Sequence, residues 1–398
     1  MITAKTYQQR RKKLSKIVHG APIVITAFSA VQQTNDGSAP FVQESSFFWL
    51  TGIAEPHWQL IIFGDKSWLI SPAKTAIQRT FDGGMSADEA QKISGIKYVN
   101  YEDDYEGLLK KIALKHTAVY TVFKHPHSKY YDFALNPAYQ KLHKQLRPIF
   151  SELRNCRQEV AKLKAIKTAE EIELIKQAIA ISVEGFNNVQ EKLATARFEY
   201  EIEATLSYAF RVAGSQGHAY EPIVAMGKNA CTLHYIENND ALPSNGLVLI
   251  DAGAKVGGYA ADITRTYAIG TPSEREKNVH AEVEQAHQAI IELIKAGVSL
   301  KDYQKQVETI MKQALKNLNL LNKPEDYDRY FPHAISHGLG IDVHDSLGGY
   351  DTFQPGMVLT VEPGIYIPEE KIGVRIEDDI LVTSAGNVNL SAALPTSL

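Results

Sequence analysis

Cysteine is scarce in this chain: 398 residues contain two, Cys156 and Cys231, far apart and in no metal-ligand spacing. That argues against a disulfide framework and a thiolate metal site, and suits a reducing compartment. Long apolar runs are missing too. No window holds eighteen uninterrupted apolar residues, so a membrane-spanning helix is not expected. Positive charge is not in excess either, since 42 Lys and Arg against 46 Asp and Glu leave a net charge of −4 with histidine neutral. With no basic stripe, nucleic acid is not an expected partner. The first 150 residues also lack a nucleotide-binding glycine fingerprint. One decoy remains: basic residues 10–16 precede APIVITAFSA (21–30), a loose likeness to a secretion signal. Here His19-Gly20 closes an amphipathic helix and Pro22 opens a β-branched strand, so helix then strand is the better reading. A cytoplasmic protein is expected.

What is present divides in two, as the length leads one to expect. Residues 1–154 alternate helical and strand patterns and read as an α/β domain. Its elements are a basic helix (5–18), a strand (22–28), FFWLTG (47–52) and a hairpin about Gly64-Asp65. A helix capped by Ser86 and Glu89, another over 104–115, a strand (118–123) and a helix (136–146) complete it. The charged stretch 151–166 is ambiguous between linker and helix. Residues 155–398 read as two helices followed by strands, twice over. Thr168 and Glu171 form a capping box opening a helix with the stripe Ile172, Ile175, Ile179, Val183 and Phe186, and a second helix covers 198–212. Strands follow to about 270. Ser273 and Glu276 then form a second capping box. Its helix ends at Ala296-Gly297, Ser299 opens another to about 321, and strands resume over 331–383. The recurrence implies an internal duplication of architecture with a pseudo-two-fold relation between halves.

The centre of the first half is Leu247–Ile269, LVLIDAGAKVGGYAADITRTYAI, a β-hairpin turning at Gly257 and Gly258. A turn centred between Val256 and Gly257 pairs residues whose numbers sum to 513, which sets Asp251 opposite Asp262. Two carboxylates facing across strands repel unless one is protonated or a cation lies between them. Either a multivalent metal sits there, or these are two solvated turn aspartates. The second half bears on the choice. Glu362 ends MVLTVE before Pro363-Gly364, and in GVRIEDDILV alternation puts Arg375, Glu377 and Asp379 on one face of a strand. Just upstream, PHAISHGLGIDVHD packs His333, His337 and His344 into twelve residues. Four carboxylates and an imidazole make an oxygen-rich donor set that suits Mn2+, Mg2+ or Fe2+, with zinc also possible. Their four charges match two divalent ions rather than one. A two-metal site would hold a bridging water of lowered pKa, and the other histidines would serve an oxyanion or pass a proton, so hydrolysis is the expected reaction.

Quoted together, FFWLTG, ACTLHY, LIDAG, ADITRT, HGLGIDVHD, TVEPGIY and VRIEDD span nearly the whole chain. In that order and spacing they resemble the pita-bread metallopeptidase family, in its aminopeptidase P and prolidase branch. The resemblance implies an α/β N-terminal domain followed by an α+β pita-bread (creatinase/aminopeptidase-like) C-terminal domain with internal pseudo-two-fold duplication. It implies two divalent metal ions, Mn2+ foremost, with Zn2+, Co2+ or Fe2+ also accommodated. Asp251 would bind one ion, Asp262 and Glu377 would bridge both, and His337 and Glu362 would hold the second. Catalytic roles would fall to His234, His344 and Glu362, with Glu362 as proton shuttle. Tyr220, His333 and Arg375 would contact substrate. The substrates would be peptides with proline in second position, and the enzyme a homodimer or homotetramer.

Two departures from the family pattern touch substrate length. Val42 stands before Gln43 where relatives often carry Arg, and only twelve residues separate Glu362 from Arg375. An Xaa-Pro dipeptidase is therefore the alternative to an Xaa-Pro aminopeptidase. In a dipeptidase Arg375 would be the candidate to clamp the free carboxylate after proline. Against it, the insertion that some prolidases carry is missing, with nine residues, SLGGYDTFQ, between Asp345 and Pro355. A third reading, a binding protein keeping the fold without catalysis, is disfavoured by the intact ligand set.

Overall fold

The computed structural model describes residues 1–101 and 104–398. The chain forms two compact units, Met1–Leu163 and Lys164–Leu398. In the first, α1 (Ala4–Ile17) leads to β1 (Ile23–Thr26), α2 (Ser45–Thr51) and the antiparallel pair β2 (Gln59–Phe63) and β3 (Lys66–Ser71). Then come α3 (Ala76–Asp82), α4 (Ala87–Ser94), β4 (Tyr98–Tyr101), α5 (Tyr105–Ala113), β5 (Ala118–Thr121), α6 (Ala138–Leu146) and β6 (Glu152–Asn155). The six strands form one sheet in the order β4-β3-β2-β1-β5-β6, with α5 and α6 packing Leu109, Ile112, Leu142 and Leu146 on Val24, Ile61 and Val119. FFWLTG is the end of α2, stopped by Gly52 in the left-handed region. The Ser86–Glu89 capping box opens α4 as expected. The ambiguous stretch 151–166 resolves into the edge strand β6, parallel to β5, and the helix α7 (Arg157–Ala165).

The second unit begins with α8 (Ala169–Leu193) and α9 (Glu199–Val212), followed by β7 (Ile223–Met226), β8 (Gly246–Ala252), β9 (Lys255–Val256), β10 (Tyr259–Ala260) and β11 (Ile263–Ile269). The order then recurs: α10 (Glu274–Ile291), α11 (Leu300–Asn317), a short α12 (Asp326–Tyr330), β12 (Val358–Val361), β13 (Gly364–Ile367), β14 (Ile372–Arg375), β15 (Asp378–Thr383) and β16 (Gly386–Asn389). Both capping boxes, Thr168–Glu171 and Ser273–Glu276, are made. The buried stripe of α8 is Leu174, Ile175, Ala178, Ile179, Ser182, Gly185, Phe186 and Val189, with Ile172 and Val183 only half-buried at its edge. Small residues belong to the contact because α9 crosses closely: a Cβ on Gly185 would stand 2.6 Å from Phe210.

Three expectations need correction. The hairpin turns one residue later than read, between Gly257 and Gly258, both at positive φ (56° and 84°) as a two-residue type I′ turn requires. Asp251 therefore pairs with Thr264, not Asp262. Because the partner moves by two residues, Asp262 stays on the same face, diagonal to Asp251. The strands expected from residue 331 begin only at Val358; before them the chain is a long loop that Gly338 joins to β12 by an isolated bridge to Leu359. The helix expected to end at Ala296-Gly297 stops at Ile291, and α11 stops at Asn317. Among the described residues no helix is long and apolar enough to cross a membrane.

Candidate metal centre and active site

A cavity of about 620 Å3 opens within the second unit, and all ten residues singled out above line it: Tyr220, His234, Asp251, Asp262, His333, His337, His344, Glu362, Arg375 and Glu377. Both halves contribute. Asp251 stands near the end of β8 and Asp262 just before β11, where its backbone N–H bonds Asp379 Oδ2 at 3.1 Å. Glu377 bridges across to Thr264, its N–H meeting Thr264 O at 3.0 Å and its Oε2 accepting from Thr264 Oγ1 at 2.7 Å. His337 Nε2 lies 3.4 Å from both Asp262 Oδ2 and Glu362 Oε1. Its Nδ1 bonds the carbonyl of Gly338 at 3.0 Å, so that nitrogen carries the proton and Nε2 is turned to the carboxylates. His344 stacks edge-on against His337 at 4.4 Å between ring centres, and His234 sits at the exposed rim.

The electrostatics are unbalanced. Asp251, Asp262, Glu362 and Glu377 converge where the guanidinium of Arg375 is the one buried permanent cation among the residues lining the cavity. Burial, then the neighbouring carboxylates, hold Glu377 well above the ordinary range. Asp251 is raised by burial against the pull of Arg375, and Glu362 is pushed up to about 7, chiefly by burial. Burial works against a charged His337, yet Asp262 and Glu362 carry it up to about 9. Burial and Arg375 push His333 down to about 4, leaving it neutral. The raised carboxyls of Asp251, Glu362 and Glu377 mark places where a cation would lower the energy. A carboxylate and imidazole donor set fits a divalent ion, and ligand atoms of Asp262, His337 and Glu377 all lie within 4.8 Å of one another.

Two expected substrate contacts are committed to the protein. Arg375 donates to Asp251 Oδ2 (2.6 Å), Tyr366 Oη (2.9 Å) and Thr264 Oγ1 (3.0 Å). Three of its five N–H groups are thus engaged within the protein, and one of them orients Asp251. The Tyr220 hydroxyl likewise donates to Asp251 Oδ1. His333 holds Tyr366 Oη through Nε2 at 2.9 Å and has Nδ1 3.5 Å from Glu362. Sequence reasoning missed Tyr366, Thr264 and Thr360, whose hydroxyls orient Arg375, Glu377 and Glu362. The alternation of ITRT carried a signal for Thr264, which shares a strand face with Asp262. Gln43, in the motif preceded here by Val42, is occupied by backbone groups of Phe28, Glu44, Ile53 and Glu55.

Two α/β half-units that close a carboxylate-rich cavity between them define a pita-bread metallopeptidase. The chain belongs to metallopeptidase family M24, whose model matches residues 173–384, and residues 7–120 match the aminopeptidase P N-terminal domain. It is 31% identical to an Xaa-Pro aminopeptidase of Haemophilus influenzae over 98% of this chain and 95% of that protein. It is also 31% identical to that of Escherichia coli, over 99% and 96%. Among solved structures, a putative aminopeptidase P from Bacillus anthracis superposes with a TM-score of 0.90 at 32% identity, covering 100% of this chain and 96% of that one. The resemblance read from the motifs and the expected fold both hold.

Proposed function

We propose that this enzyme is an Xaa-Pro aminopeptidase, releasing the first residue of peptides whose second residue is proline. The observation that carries this over the dipeptidase is Arg375, the residue best placed to clamp a dipeptide's carboxylate, engaged instead by Asp251, Tyr366 and Thr264. The short stretch SLGGYDTFQ between Asp345 and Pro355, with no insertion to wall the cavity, supports the same reading. Curated relatives of near-equal length carry the aminopeptidase name.

Asp251, Asp262, His337, Glu362 and Glu377 would hold two divalent ions, manganese being the working choice. When bound, the ions supply Lewis acidity at the scissile carbonyl and a water nucleophile at neutral pH. The protein's own groups do the rest. Glu362 takes the proton of the attacking water and delivers it to the proline nitrogen as the C–N bond breaks. His344 is lowered by burial, then by His337, so it stays neutral and can donate an N–H to the developing oxyanion, joined by His234 from the rim. We extend the reading to a cytoplasmic homodimer or homotetramer. Measuring kcat/KM for X-Pro-Y beside X-Pro at one metal concentration tests it. The tripeptide is expected to be preferred, and a clear preference for the dipeptide would overturn the aminopeptidase assignment.

A further inference from the structure

Beneath the loop that carries His344 lies a charged cluster that takes no part in the chemistry above. Asp345 is buried, its side chain 4% exposed, and its carboxylate is gripped from both sides. Lys164 Nζ lies 3.3 Å from Oδ1, and Lys167 Nζ lies 3.4 Å from Oδ2. The two ammonium groups are themselves buried, at 6% and 2% side-chain exposure. Lys164 also reaches Asp342 Oδ2 at 2.8 Å, and the Ser346 N–H bonds Asp345 Oδ1 at 2.9 Å. Burying three charges is costly, and replacing such a group with apolar residues is often neutral for stability. A role in placing the loop gives the cluster a reason that stability alone does not.

The connection to the site is short. The Asp345 N–H donates to Gly338 O at 2.8 Å, closing the loop on itself. That carbonyl is the same one that receives His337 Nδ1 at 3.0 Å. His344 is the residue immediately before Asp345, so the clamp fixes the peptide from which its ring projects. Space is tight enough to transmit the constraint: a Cβ on Gly340 would stand 2.7 Å from Asp345 Oδ2 and 3.4 Å from Lys167 Cε. The lysines come from the chain just before the Thr168 cap of α8, where the Lys167 N–H bonds Gly356 O at 2.9 Å.

We propose that Asp345, clamped between Lys164 and Lys167, is a positioning residue that sets the aim of His344 into the cavity. This rests on the reading of His344 as an oxyanion donor in an Xaa-Pro aminopeptidase. The test is a double-mutant cycle on an X-Pro-Y tripeptide at saturating metal, with wild type, Asp345→Asn, His344→Ala and the double variant. His344→Ala is expected to lower kcat about a hundredfold. Asp345→Asn is expected to lower kcat about 10- to 100-fold through misplacement and leave KM within about twofold. In the His344→Ala background the same change is expected to cost less than about threefold, because no ring is left to aim. Losses that multiply in both backgrounds would overturn the proposal. Lys167→Met releases the clamp from its other side and must show the same non-additivity, which covers the case that Asp345→Asn does not fold. A second readout needs no turnover. In metal-free protein the His344 Cε1–H NMR signal, identified by its loss in His344→Ala, is expected to shift or broaden in Asp345→Asn and Lys167→Met. An unchanged signal overturns the clamp. If wild type cleaves no X-Pro-Y, the substrate reading fails while the ring signal still decides the positioning.

Discussion

Two buried charge clusters stand back to back on the segment from Arg375 to Asp379, where β14 ends and β15 begins, and they are built on opposite terms. On one face, Asp378 accepts from Arg265 Nη2 at 2.6 Å and from Asn389 at 2.6 Å, with His287 3.4 Å away. Arg265 spends all five N–H groups, on Thr264 O, Glu377 O, Asp378, Leu394 O and Pro395 O. On the other face, Glu377 joins Asp251, Asp262 and Glu362 in a cavity where Arg375 answers only part of the negative charge. Asp379, also on that side, has one carboxylate oxygen bonded by the Asp262 N–H and the other without a hydrogen-bond partner. The difference separates structure from chemistry. A satisfied buried pair holds the strand, whereas an unsatisfied buried group of one sign marks the place where a cation is expected.

The strongest way to break this contrast is to remove a charge from the unsatisfied face. Asp262→Ala or Glu377→Ala is expected to lower activity at least about a thousandfold and to lose bound metal. The metal-free variant should melt no lower than metal-free wild type, since one repelling carboxylate is gone. Dialysis followed by metal analysis, with thermal melts of both forms, checks it. A variant keeping full metal and near wild-type turnover would overturn the assignment. On the satisfied face the effect should fall on stability instead. Asp378→Asn leaves the Arg265 guanidinium buried without its counter-charge and is expected to cost about 3–5 kcal/mol in denaturant unfolding, with metal stoichiometry unchanged. Loss of metal with unaltered stability would mean that the two faces have been exchanged.

The smallest effect sharpens the comparison through pH. In metal-free protein the folded state keeps protons on Glu362, up to about 7, and His337, up to about 9. The unfolded chain releases them near the ordinary values of about 4.3 and 6.5. The folded state therefore binds more protons, and stability must fall as pH rises through the folded pKa values. His287 and His333, both pushed down to about 4 by burial, work the other way below pH 6.5, so the useful window lies above it. Between pH 6.5 and 8.5 the metal-free Tm is expected to drop by roughly 2–4 °C for each kcal/mol lost. His337→Gln should flatten the decline, and bound metal should offset it by stabilising the ionised site. A metal-free Tm that rises over this window would contradict the protonation pattern.

Much of this was legible in the residues. Periodicity and capping located α8, α10 and α11, because Thr168, Ser273 and Ser299 carry their signals in a few adjacent residues. Alternation put Glu377 and Asp379 on one face and Asp378 on the other. The hairpin register was harder. Two adjacent glycines allow two turn centres, and only the closed sheet chose the one that pairs Asp251 with Thr264. The stretch from 331 to 357 reads as strand, yet Gly338 makes isolated bridges to Asp345 and Leu359 instead of a continuous ladder, because the loop folds back on itself there.

By itself, the sequence determined the kind of chemistry available here: carboxylates and imidazoles in a fixed order, without thiolates, basic stripes or membrane-spanning runs. Those follow from residue type and short-range spacing, which need no partner to act. What only the tertiary structure decided is which of these groups are spent. Residue type makes Arg375 a candidate carboxylate clamp in a dipeptidase; the fold brings Asp251, Tyr366 and Thr264 onto three of its N–H groups. Asp345 read as the end of a histidine motif until Lys164 and Lys167, nearly 180 residues earlier, were found on either side of it. The physical reason is the same in both cases: a hydrogen bond depends on distances of about 3 Å, and those are settled by which distant segments pack together rather than by local propensity.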